Sequence, residues 1–546
     1  MSIGAVADRF WDRYLELDPL VGTDIGDERY DGLLEDTSAN GRAAAARVYE
    51  ETLESLRAVD RSSLPEADRL TADLLEFAAQ RGLARVDLNR LSAPAHNQYP
   101  AVILPAIASL QQVRDVAGLD RYLDRLHALP AYFAGWADVL REGIEAKQTS
   151  PGLIVDRTIG QFERLLELDP AASPGMTPVA ERDDAEKQRV VDVLREVVWP
   201  AHAMYLDELR AYRPHATETL GFHSLPDGEA LYRAAMLEHT SLELDPAEVF
   251  DEGRERLAEA VEEQRRTASE LGFASAAEAI ASLRGTDRWS ASTPDEVLVR
   301  ATELVQRGWN ASREVVGRMP EAECLVQAVE PYRELDAGSA YYVGSSADGS
   351  RPGVYFINTS NLRERPLYQS GVTAFHEANP GHHLQHAIER EQTGLHPVRR
   401  FGGFLAGAAS AEGWALYAER LADELGLYDD GFQRLGMLES RCVRACRLVV
   451  DTGLHAFGWT RERAIEAMLE VGMTRTWSES DIDRYIAMPG QALAYTIGFS
   501  RVERWRTEAE RRVGFSLRAF HDRLLSLGTL PLASLEWALG QTPSGV

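Results

Sequence analysis

Between His376 and His396 the chain places five of its thirteen histidines, and the segment His376-Glu377-Ala378-Asn379-Pro380-Gly381-His382-His383 precedes Glu412 by about thirty residues. These are the parts of a zinc hydrolase site at an unusual spacing. In the common H-E-x-x-H arrangement two imidazoles one helical turn apart bind Zn²⁺ and the intervening Glu serves as a base. Here Pro380 stands where the second histidine belongs, and its side chain has no lone pair to offer. His382 and His383, six and seven positions after His376, remain as candidates. An unbroken α-helix separates residues six apart by roughly 9 Å along its axis, too far for both to bind one ion through bonds of about 2.0 to 2.1 Å. The helix is therefore expected to break at Asn379-Pro380-Gly381. Proline lacks the donor and clashes with the preceding turn, while glycine reaches backbone angles closed to other residues. The Gly381-His382 order favours His382 as the second ligand and leaves His383 as a supporting or substrate-facing group, although the two can exchange.

The third ligand is expected from a neighbouring helix that begins near Ser410, with Trp414, Leu416, Tyr417 and Leu421 burying it while Glu412 points at the metal. Glu419, two turns along the same face, is read as a surface carboxylate in preference to a group supporting a ligand. Two imidazoles and one carboxylate would hold one Zn²⁺ per chain and leave a coordination position for water, which is the catalytic arrangement. Glu377 is then the expected general base. Mn²⁺ and Co²⁺ suit the same donors. A purely structural cluster of histidines and carboxylates is the competing reading, and the local histidine density weighs against it.

The pattern H-E-x-x-P-G-H-H-x-Q, here His376 to Gln385, together with E-G-W-A-L-Y, here Glu412 to Tyr417, resembles the bacterial DUF885 family, grouped with gluzincin-type metallopeptidases. Further segments agree, among them Asp18-Pro19-Leu20 through Gly26-Asp27, Arg351 to Phe356, Arg447 to His455 and Pro489 to Tyr495, so the resemblance spans nearly the whole chain. It implies a mainly α, large two-lobed helical metallopeptidase-like fold with a deep cleft and a small β-hairpin or sheet beside the metal site. It also implies a zinc-dependent hydrolase, a peptidase acting on short peptides or related amides. Zinc peptidases of similar architecture donate to the oxyanion from a late tyrosine, which nominates Tyr495, with packing as nearly equal an account; His455 is a second candidate donor. Arg447 is read as an ion-pair partner of Asp451, four residues on, or as a bidentate group for a substrate carboxylate. A metal-dependent binding protein without catalysis is the alternative function.

Two β-prone runs, Ser339 to Gly344 and Val354 to Asn358, flank the Gly- and Pro-containing stretch Ala347 to Gly353 and predict a hairpin over 339–358. In gluzincin-like folds an edge strand beside the zinc binds an extended peptide, so Tyr355 and Asn358 join His383 and Arg447 as candidate substrate-binding residues. A purely structural hairpin is an equal reading.

Elsewhere the sequence is dominated by helical periodicity. Val190, Leu194, Val197, Ala201, Tyr205 and Leu209 make one apolar stripe, with Pro200 expected to kink it. An N-terminal helical lobe over 1–240 and a metal-bearing lobe over 241–546 are expected. The net charge of −28 argues against a nucleic-acid partner. No apolar run approaches the roughly twenty residues of a membrane span, and no signal-peptide pattern opens the chain. Three cysteines, Cys324, Cys442 and Cys446, fit a reducing, cytoplasmic compartment without disulfides. Cys442 and Cys446, one helical turn apart, are read as small buried residues in preference to ligands.

Overall fold

The computed structural model describes residues 2–540 except 285, 330–333, 335–337, 347–348 and 350. Helices account for most of the chain, and three short strands form one sheet. The residues divide into two compact units, Met1–Asp68 with Leu75–Ala234 and Asp483–Pro489, and Arg69–Leu74 with Ala235–Ile482 and Gly490–Val546. The short exchanged segments at 69–74 and 483–489 depart from the two continuous halves expected from the sequence.

The first unit is helical. Its stripe of Val190, Leu194, Ala201, Tyr205 and Leu209 is buried, but Val198 takes the place expected for Val197. A π-helical turn, Leu194–Val198, ends two residues before Pro200. The proline removes a backbone donor, and the wider turn accommodates its ring without ending the helix.

The second unit contains every proposed site residue. Its relevant helices are α1 (Pro246–Glu270), α2 (Pro294–Val315), α3 (Ser370–Glu377), α4 (His382–Arg390), α5 (Ala409–Glu424), α6 (Gly431–His455), α7 (Ala494–Glu510) and α8 (Leu517–Ser526). The strands β1 (Cys324–Ala328), β2 (Ala340–Val343) and β3 (Gly353–Ile357) lie between α2 and α3 in the chain, in the order β1-β3-β2. β2 and β3 are antiparallel, with Tyr342 opposite Tyr355, as in the expected hairpin; residues 347, 348 and 350 of its turn lie outside the described residues. β1 adds a parallel neighbour on the other side, with Val326 opposite Tyr355. β3 is therefore the central strand, and its backbone is paired on both sides. It cannot also serve as the edge that receives a peptide.

Tyr355 and Ile357 of β3 pack with Ala301 and Leu304 of α2 and with Val372 and Phe375 of α3. This shared core fixes the sheet to the helix that carries His376. Among the described residues no helix is long and apolar enough to cross a membrane. All three cysteines are free, and Cys442 and Cys446 are buried in α6.

Candidate metal centre

α3 ends at Glu377 because Ala378 leaves helical geometry (φ −105°, ψ −106°), and α4 starts at His382, after four intervening residues. Gly381 makes the reversal possible: a Cβ there would sit 1.9 Å from the His376 carbonyl oxygen, so no side chain fits. Trp414 of α5 fastens the loop by donating its indole N–H to the Pro380 carbonyl at 2.9 Å. The outcome is that the His376 and His382 rings approach to 4.8 Å between centroids, nearly at right angles (84°).

Glu412 of α5 completes the group. Its Oε2 lies 3.4 Å from His376 Nε2 and 3.5 Å from His382 Nε2, and the three donor atoms fall within 4.8 Å of one another. A tetrahedral ion with bonds of about 2.0 to 2.1 Å holds neighbouring donors roughly 3.3 Å apart, so the spacing fits one Zn²⁺. Glu412 Oε2 is buried and accepts no hydrogen bond. A buried carboxylate oxygen without a donor is costly, and a cation between it and the two Nε2 atoms would resolve that. Burial opposes the Glu412 charge, but the imidazoles of His376 and His382 outweigh it and hold the carboxyl well below its usual range.

The other face of His376 is also engaged. Its Nδ1 lies 2.7 Å from Glu419 Oε1, and Glu419 is 1 % exposed, so the surface carboxylate expected from the sequence is instead a buried partner of His376. Burial disfavours protonated His376, yet the carboxylates of Glu412 and Glu419 on its two nitrogens push its pKa up to about 9. Orientation of a metal-binding imidazole by a carboxylate on its second nitrogen is a common supporting arrangement.

Tyr495 reaches the centre through a close helix crossing. A Cβ on Gly413 of α5 would lie 2.5 Å from the Gly498 Cα of α7, and a Cβ on Gly498 would lie 2.0 Å from the Ala409 carbonyl oxygen. Paired glycines thus bring the turn holding Glu412 against the turn holding Tyr495. The Tyr495 ring lies 6.4 Å from the His376 ring with an interplanar angle of 27°. Gln491 Nε2 donates to its hydroxyl at 3.4 Å, and the guanidiniums of Arg444 and Arg447 lie 4.4 and 4.9 Å from its ring centroid. Arg447 donates to Asp481 at 3.2 Å, while Asp451, its expected partner, accepts from the Gly490 amide at 3.1 Å.

Glu377 is half-buried at the end of α3, next to the candidate ligand His376. After burial itself, its charge helps to raise the Tyr355 hydroxyl and the Cys324 thiol, the latter to about 12, and it also helps to raise His376. The remaining candidates are not brought to the metal group as substrate contacts. His383 Nε2 donates to the Ala322 carbonyl at 3.1 Å and its Nδ1 accepts from the Tyr342 hydroxyl at 3.0 Å. With both nitrogens used and burial lowering its pKa to about 4, it anchors the sheet and faces neither metal nor substrate. Tyr355 is wholly buried, and Asn358 is 1 % exposed. Asn358 spends its amide on the Glu334 carbonyl (2.8 Å) and on the Ser360 N–H and hydroxyl (3.0 and 2.7 Å). His455 closes α6 eleven residues beyond Arg444, about 16 Å along a helix axis. The sequence reading passed over Arg444. Its spacing of three from Arg447 on one helix was the available signal.

Two solved structures resemble the whole chain. The crystal structure described as "the putative lipoprotein from Colwellia psychrerythraea" superposes with a TM-score of 0.91 at 23 % identity, covering 98 % of both chains. A "putative lipoprotein of unknown function" from Shewanella oneidensis gives a TM-score of 0.74 at 17 % identity, over 99 % of this chain and 100 % of the other. At these identities the likeness establishes the fold. No curated protein matches. The family model described as "Bacterial protein of unknown function (DUF885)" matches residues 19–539, and the chain therefore belongs to the DUF885 family.

Proposed function

We propose that this protein is a zinc-dependent hydrolase, a peptidase of gluzincin-like kinship that cleaves short peptides or related amides. The observation that carries the reading is the convergence of His376 Nε2, His382 Nε2 and the buried, hydrogen-bond-free Glu412 Oε2 at 3.4 and 3.5 Å. Three protein ligands of this kind leave a coordination position open. A bound zinc ion supplies a Lewis acid and lowers the pKa of water to about 7.

The side chains then divide the work. Glu377, beside a ligand but not one of the three, takes the proton of the attacking water and passes it to the leaving amine. Tyr495, stacked near His376, directs its hydroxyl to the oxygen on which charge develops. Glu419 holds His376 in one tautomer and orientation. We assign the activity to the cytoplasm on the strength of three unpaired thiols. The similar structures bear the description of lipoproteins, so fractionation of the producing cell is the check on compartment.

The decisive experiment measures zinc content and peptide turnover for the wild type and for Glu377→Gln. The variant is expected to keep one zinc per chain and to lose about 10²- to 10⁴-fold in turnover. Parental turnover by the variant would remove Glu377 from its role. Zinc-loaded wild type that binds peptides yet cleaves none across broad libraries would favour a non-catalytic binding protein.

A further inference from the structure

We propose that Arg444 receives a carboxylate of the substrate, so that the substrates are peptides with a negatively charged group next to the scissile bond; the inference rests on the hydrolase reading above. The Arg444 side chain is 17 % exposed and lies with its guanidinium 4.4 Å from the Tyr495 ring centroid. Its nearest anionic atom is Glu419 Oε1 at 3.8 Å, beyond hydrogen-bond reach, and that same oxygen already faces His376 Nδ1 at 2.7 Å. Among the described residues no acceptor lies within hydrogen-bond distance of this guanidinium. A guanidinium carries five N–H donors and cannot shed its charge, and this one, half-buried and without a protein acceptor among the described residues, keeps its donors available to a ligand.

Function offers a reason for keeping it. The planar fork of an arginine matches a carboxylate through two parallel hydrogen bonds, and the Arg444 guanidinium lies over the Tyr495 ring, 4.4 Å from its centroid. Arg447, 4.9 Å from the same ring centroid, adds a second positive charge there. Arg444 neighbours two residues that flank His376, Glu419 at 3.8 Å and Tyr495 at 4.4 Å, so an anion bound to it lies near the proposed metal group. A peptide's terminal carboxylate belongs to the residue following the scissile bond, about one Cα spacing of 3.8 Å away. An acidic side chain on a flanking residue offers the same chemistry from a second source.

The test uses zinc-loaded protein. Calorimetry compares N-acetylphenylalanine with its amide on the wild type, Arg444→Gln and Arg444→Lys. The acid is expected to bind the wild type roughly 10- to 100-fold more tightly than the amide, as for a hydrogen bond to a charged group. That preference should collapse in Arg444→Gln and survive in part in Arg444→Lys, which keeps the charge and loses the fork. Thermal melts and zinc content confirm folding, and Arg444→Lys carries the comparison should Arg444→Gln not fold. In parallel, turnover is measured on peptides with a free carboxyl terminus, on amidated versions, and on amidated versions with Asp or Glu beside the cut. Preference for free ends identifies the terminal carboxylate, and preference for the acidic amidated peptides identifies the side chain. Equal binding of acid and amide by the wild type, or a preference undiminished in both variants because the metal alone takes the carboxylate, overturns the proposal. Absence of cleavage on every peptide would defeat the hydrolase reading, while the binding comparison still decides the role of Arg444.

Discussion

His376 Nδ1 and Glu419 Oε1 lie 2.7 Å apart, on the side of the imidazole opposite the Nε2 that faces Glu412. Glu419 is thereby the group that decides which nitrogen of His376 is free to bind a metal. Glu419→Ala is expected to weaken zinc binding by roughly 10- to 100-fold, in line with loss of a supporting carboxylate. Glu419→Gln, whose amide oxygen still accepts from Nδ1, should lose less. Competition against a chromophoric chelator gives both constants, and unchanged affinity in the alanine variant would show that the contact does not orient the ligand.

The same pair predicts how pH acts. Metal-free His376 has a pKa raised from 6.5 to about 9, so zinc must displace its proton at neutral pH. Zinc affinity should therefore rise by about tenfold per pH unit between pH 7 and 9 from this proton alone. The stability of the metal-free protein runs the other way. The contribution of protonated His376 is fully present below its unfolded pKa and is lost as pH rises through the folded value of about 9. Thermal melts from pH 6.5 to 9.5 should show the metal-free protein losing stability while the zinc-loaded protein loses much less. Parallel pH profiles for the two forms would contradict the assignment.

What the sequence disclosed here depended on how local the cause was. The helix break at Asn379-Pro380-Gly381 follows from the backbone chemistry of three adjacent residues, and the crowded approach at Gly381 is the same constraint seen in space. The burial of Trp414 and Tyr417 follows from apolar spacing along one helix. Glu419 was misread because a carboxylate two turns from Glu412 looks alike whether its face meets solvent or an imidazole. Strand β1 escaped notice because its parallel pairing with β3 spans 29 residues in register, and such pairings leave no turn signature. His383 could not be told from His382 by type. The Tyr342 hydroxyl and Ala322 carbonyl that claim it come from segments distant in sequence.

The glycine pair between α5 and α7 supports a mechanical prediction. Gly413→Val would force branched atoms into the space held by Gly498, where even a Cβ lies 2.5 Å from its Cα. Overpacking of this kind costs about 1 to 3 kcal/mol, and the helices must separate to relieve it. Because Glu412 precedes Gly413 and Tyr495 sits one turn before Gly498, the separation would move Tyr495, the proposed oxyanion donor, away from Glu412, the proposed ligand. The variant should melt several degrees lower and lose more in kcat than in zinc affinity. A variant with the parental melting temperature and turnover would mean that the crossing tolerates side chains and does not position Tyr495.

Tyr495 itself separates two accounts, donor and packing residue. Its ring carries the stacking with Arg444, Arg447 and His376, whereas its hydroxyl meets the Gln491 amide at 3.4 Å. Tyr495→Phe keeps the ring and removes the hydroxyl, so the arginines and the metal group should stay in place. If the hydroxyl meets charge that develops in the transition state, kcat should fall by about 10²- to 10³-fold with KM and zinc content close to parental, as for removal of one oxyanion donor. Tyr495→Leu, which also removes the aromatic face, should in addition weaken the preference of the protein for acids over amides, because Arg444 loses the ring it lies over. Full activity in the phenylalanine variant would assign Tyr495 to packing and return the donor's role to another group.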